Sequence, residues 1–142
     1  MATTSNRLIQ DSTLSATVAL PVNATGSNTA NGALIDLGST TLDGTHEVIS
    51  AYISIPATTN TVNTNTQSVY IVDSADNNGV NTTIIPGLAP LIITGGVGNG
   101  ANAATRHYSL PAGTRRYIVL RSTGDANSGN NTTISATLQI LT

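Results

Sequence analysis

Apolar and polar residues alternate along much of this chain. In Thr13 to Leu20, TLSATVAL, the side chains of Leu14, Ala16, Val18 and Leu20 share one face, and Thr13, Ser15 and Thr17 share the other. Successive side chains of a strand point to opposite faces, so a period of two predicts a strand with one face buried and one wet. EVISAYISIP repeats the pattern, with Ile49, Ala51, Ile53 and Ile55 opposite Ser50, Tyr52 and Ser54 before Pro56 ends the run. TISATLQIL repeats it again with Ile134, Ala136, Leu138 and Ile140. Shorter candidates are ALIDLG (33–38), QSVYIVD (67–73), LIIT (91–94), TRHYSL (105–110) and RRYIVLRS (115–122), which makes about eight strands. Leu14, Ala16, Val18, Ile49, Ile53, Ile118, Leu120, Ile134, Ala136 and Leu138 are the expected inward residues.

The connections, NATGSNTANG, TTNTVNTNT, DSADNNGVN, TGGVGNGANAA and GDANSGNN, are rich in the residues that make turns, and none repeats apolar residues at helical spacing. Many short strands with helix-free connections predict an all-β fold of two packed antiparallel sheets, a β-sandwich of jelly-roll or related Greek-key type. HYSLPAGTRRY reads as a hairpin, with Pro111 presetting the turn and Gly113 admitting positive φ. Residues 1–10 read as a flexible N-terminal arm, polar except for Leu8 and Ile9, and residues 11–142 as a single domain.

Composition narrows this picture. The 142 residues include 34 Ile, Leu and Val but no Phe, no Trp and only four Tyr, so the core must be aliphatic. Charged residues are 8% of the chain and the formal net charge is −2, which lacks the basic footprint needed to neutralise phosphates, so nucleic acid is not an expected partner. No Cys is present for disulfides or thiolate metal sites, and no run of about 18 apolar residues suits a membrane span. MATTSNRLIQ has no apolar run of signal-peptide length, which leads us to expect synthesis in a cytoplasm and no membrane partner.

Catalytic and cofactor motifs are weak. Gly96, Gly98 and Ala101 match the dinucleotide fingerprint after the apolar LIIT, but no helix can open there and no acid follows at the required distance. We read this stretch as a mobile loop. His46 and Glu47 are adjacent in a strand and point to opposite faces, so they cannot share a metal, and His107 sits beside Arg106. DSADNNG has the composition of a calcium loop without its ligand spacing and reads as a turn, with Asp73 and Asp76 left as candidates for a weak interfacial ion. No enzyme activity and no cofactor is expected.

The order DSTLSATVAL, IDLG, VISAYISI, VYIVDSAD, RHYSLPAGTRRYIVLRST and TTISATLQIL resembles the jelly-roll capsid cement, or decoration, proteins of tailed bacteriophages, the Bordetella-phage type. The resemblance covers Leu8 to Leu141, and IDLG (35–38) and LPAGTRRYIVL (110–120) are its most specific elements. The polar ATTNTVNTNTQ and GGVGNGANAA loops depart from the family's pattern. The resemblance implies a structural protein on the outer surface of an icosahedral capsid, a homodimer or homotrimer that bridges neighbouring major capsid proteins. A carbohydrate- or receptor-binding β-sandwich of a phage particle is the alternative, although the chain offers no Trp platform. A pilus or surface-layer subunit would share the composition but should carry an export signal.

One charge feature fits an interface. Of five Arg in a chain without Lys, Arg115, Arg116 and Arg121 fall within LPAGTRRYIVLRST and Arg106 lies just upstream. If the hairpin forms, these four gather into a patch suited to carboxylates of the major capsid protein, since guanidinium pairs with carboxylate through two parallel bonds. The competing reading pairs them with Asp36, Asp43 or Asp73 of this chain.

Overall fold

A computed structural model describes residues 10–21, 28–41 and 49–141. The strands are β1 (Gln10–Ala19), β2 (Asn28–Thr41), β3 (Ser50–Ile55), β4 (Thr66–Ser74), β5 (Thr83–Ile84), β6 (Leu91–Thr94), β7 (Ala104–Ser109), β8 (Arg115–Gly124) and β9 (Ser135–Leu141). No helix is present among the described residues. One sheet has the order β1-β9-β3-β7, the other β2-β8-β4, with β5 and β6 both paired to the far edge of β4. β5 meets Val72 and Asp73, and β6 meets Thr66 to Val69, so the two act as one edge strand interrupted by residues 85–90. The nine described strands therefore fill eight ladder positions. Apart from this interruption, successive strands pass from one sheet to the other, which is the winding of a jelly roll.

The alternation places the core as expected. Ala16, Val18, Ala51, Ile53, Ala136, Leu138 and Ile140 of the first sheet meet Ile35, Val69, Ile71, Ile118 and Leu120 of the second, all buried. Leu14, Ile49 and Ile134 pack against this cluster while partly exposed. Tyr108 is the one aromatic residue in the core cluster of the described chain, and its hydroxyl donates to the Ala89 carbonyl at 2.7 Å, satisfying a polar group that burial would otherwise penalise. Burial also raises its pKa. Ser122, inward and fully buried, donates to the Ala19 carbonyl at 2.9 Å and so stitches the two sheets together.

Three expectations change. β7 and β8 do not form a hairpin: β7 pairs with β3 at the edge of the first sheet, and β8 lies between β2 and β4 in the second. The LPAGT turn exists, with Gly113 at φ 89° and the Thr114 amide and hydroxyl both donating to the Pro111 carbonyl, but it carries the chain across the sandwich. The reason lies in Tyr108 and Leu110, which enter the core from the first sheet before the crossing, as Ile118 and Leu120 do from the second. β2 starts at Asn28 rather than residue 33, because NTAN (28–31) pairs with β8 from Gly124 back to Arg121 despite its turn-forming composition. Gln10 already belongs to β1, while residues 1–9 of the expected arm, Asp43, His46 and Glu47 lie outside the described residues.

The glycine-rich stretch after β6 is clamped on both sides rather than left as a mobile loop. At this end of the sandwich the connections 56–65, 95–103 and 125–134 interlock. Thr58 and Ala101 exchange backbone hydrogen bonds, the Gly100 amide donates to Thr61, the Thr64 amide to Gly95 and the Val62 amide to Ser128. Thr58 and Thr61 hydroxyls share a 2.6 Å bond, and the Asn131 amide side chain donates to Thr61. Asn60 and Asn65 side chains donate to carbonyls of residues 130, 126 and 127. The Thr, Asn and Gly content is thus the material of a hydrogen-bonded cap that closes a core built without disulfides and with Tyr108 as its one described aromatic residue.

Candidate interaction site

The four candidate arginines do not gather into one patch. Without the hairpin, Arg106 stands on β7, opposite Ile53 of β3, while the other three lie on β8 in the other sheet. Arg106 is exposed, and its guanidinium lies 5.3 Å from the centre of the Tyr108 ring.

Arg115 is a structural tie. Its guanidinium lies 2.9 Å from Asp73 Oδ1 and also donates to the Asp73 carbonyl, the Asn81 carbonyl and the Thr83 hydroxyl, while its backbone N–H donates to Asp73 Oδ2. Asp73 is only 5% exposed, so the pair neutralises a buried carboxylate and fastens the β4–β5 connection to β8. Both Asp73 oxygens accept hydrogen bonds from this chain, Oδ1 from Thr83 and Arg115 and Oδ2 from the Arg115 amide. DSADNNG is the expected turn, closed by the Gly79 amide to the Asp76 carbonyl and by the Asn81 side chain to the Asp76 carboxylate. No three His, Asp or Glu among the described residues converge to hold a metal.

Arg116 makes the two-point contact that its chemistry favours, with Nε and a terminal nitrogen 2.7 and 2.8 Å from the two oxygens of Asp36. The Asp36 carboxylate also accepts the Gly38 amide, and these two donors, Arg116 first, hold its pKa down at about 2. This pair is open to solvent.

Arg121 differs from both. Its Nε donates to the Asn31 side chain at 2.7 Å and a terminal nitrogen donates to the Thr82 hydroxyl at 2.8 Å. No described carboxylate pairs with it. It lines a half-open cleft of about 270 Å³ on the outer face of the second sheet, together with Asn31, Leu34, Gly79, Thr82 and Val119. The cleft exists because this outer face carries an apolar row, Leu34 beside Val119 beside Val72 in register, over which the β4–β5 connection folds. Val72 and Val119 are buried although they face away from the core.

His107 and Tyr52 form a cross-strand pair on the first sheet, rings 4.5 Å apart and tilted by 56°. Among the described residues, no helix is long and apolar enough to cross a membrane. In comparisons with known proteins, no family model matches the chain and no curated protein matches it.

Proposed function

We propose that this protein is a capsid cement protein, which binds the outside of an icosahedral phage shell and bridges adjacent major capsid proteins. The observation that carries the reading is the jelly-roll winding, because the stretches that resemble the cement family fall on its strands in the same order. DSTLSATVA belongs to β1, IDLG to β2, YISI to β3, VYIVDS to β4, RHYS to β7, RRYIVLRST to β8 and SATLQIL to β9. The interlocked loop cap supports a role in which the protein serves as a rigid clamp. Linked contacts to several shell subunits raise the effective concentration of each later contact, so a homodimer or homotrimer suits the task.

The in-chain pairs of Arg115 and Arg116 shift the proposed capsid contacts toward Arg106 and Arg121, which have no carboxylate partner among the described residues. Arg116 remains available as a rim contact because its pair with Asp36 is exposed. Heating undecorated shells of the parent phage with and without the purified protein tests the reading. The shells should resist disruption to a higher temperature when the protein is present; shells that break at the same temperature under saturating protein would remove the cement function.

The carbohydrate- or receptor-binding alternative rests on the Tyr52–His107 pair, whose rings are tilted rather than coplanar and so offer a poor flat platform for a sugar. Glycan binding lost on Tyr52→Ala would favour that alternative.

A further inference from the structure

We infer that the Arg121 cleft is a socket for one acidic side chain, Glu or Asp, presented by a partner protein. A guanidinium carries five N–H donors. Two are used, toward Asn31 and Thr82, and three have no protein partner among the described residues. Those two neutral acceptors fix the side chain without cancelling its charge, so the group is held in place before anything binds. The remaining donors suffice for the two-point contact that carboxylates make with arginine.

The rest of the cleft matches the same ligand. Leu34 and Val119 supply apolar contact for the methylene stem of an acidic residue, while Asn31, Asn78 and Thr82 form a neutral polar rim. One cation beside a neutral rim complements a single negative charge. Half-burial of Arg121 strengthens the pairing relative to a fully solvated contact. A shell protein as the source of the acid rests on the cement reading; the socket itself does not.

Titration of ¹⁵N-labelled protein with N-acetylglutamate should shift the Arg121 Nε–H and the amide resonances of Gly32 and Gly79, which also line the cleft. N-acetylglutamine at equal concentration and ionic strength should move them far less, and Arg121→Gln should erase the difference. On shells, Arg121→Gln should weaken binding about tenfold or more, with Arg121→Lys between it and wild type, because lysine keeps the charge but not the fork. Absent shifts, or equal shifts with both probes, overturn the socket. Full shell binding by a folded Arg121→Gln variant overturns it as the shell contact and leaves the cement reading standing. Carboxylate-specific shifts in a protein that ignores the shells sink the cement reading instead and uphold the socket. A change in oligomeric state of Arg121→Gln in sedimentation equilibrium would assign the acid to a second copy of this chain and overturn the shell as its source.

Discussion

Asp73 lies on the core side of β4 and is 5% exposed, so Arg115 and Thr83 replace the hydrogen bonds that water would otherwise make to it. Removing one partner of a largely buried ion pair leaves the other uncompensated. Arg115→Gln should therefore cost about 2–3 kcal/mol in urea unfolding, and adding Asp73→Asn should recover part of that loss. For the same reason a charge reversal at Arg115 reports on folding before it reports on any shell contact. Asp36 behaves differently, because its pair with Arg116 is exposed and its folded pKa is about 2, below the ordinary 3.8. A depressed carboxylate stabilises the fold above its unfolded pKa and loses that contribution as pH falls through the folded value. The hydroxyl and amide of Thr66 depress Asp125 in the same sense. Stability should accordingly decline between about pH 4 and pH 2, and an NMR titration of Arg116→Gln should show the Asp36 midpoint moving back up. Gln67 is fully buried with neither amide atom meeting a partner, so Gln67→Met should raise stability by about 1 kcal/mol. A lower melting temperature for that variant would show that the amide is satisfied in solution.

At the scale of elements, strict alternation was the readable signal. It located the strands that carry Val18, Ile53 and Leu138, because each of them buries one face only. The first half of β2 was not readable, since Asn and Thr there gain their strand pairing from β8 rather than from their own preference. The sequence does not reveal the pairing of β7, because a Pro-Gly turn is the same local chemistry whether the chain returns to its own sheet or crosses to the other. The outer cleft did leave a mark in the sequence. YIVD and YIVL break the alternation with consecutive apolar residues, which signals burial on both faces, and Val72 and Val119 are the residues that the β4–β5 connection covers. What no local pattern reveals is the interlocking of three distant loops, which depends on their meeting at one end of the sandwich. Gly129 sits at φ 98° where an added Cβ would fall 1.7 Å from the Asn60 carbonyl oxygen, whereas Gly113 at φ 89° has nothing within 4 Å. Gly129→Ala should thus cost about 3 kcal/mol or more and Gly113→Ala about 1 kcal/mol, the latter from backbone strain alone. Equal melting temperatures for the two variants would mean that the loop cap yields easily.

For the whole molecule, a jelly-roll sandwich carries its arginines in two distinct settings. The arginines that looked like one patch divide between two that pair with carboxylates of this chain, Arg115 and Arg116, and two with no carboxylate partner among the described residues, Arg106 and Arg121. A cement protein, as proposed, occupies defined places on a phage shell, and the amount bound at saturation tests this most directly. Purified protein titrated onto undecorated shells and separated by sedimentation should reach a plateau at a fixed number of copies per major capsid protein, unchanged by further excess. Binding that rises without a plateau, or no protein sedimenting with the shells at any concentration, would contradict it.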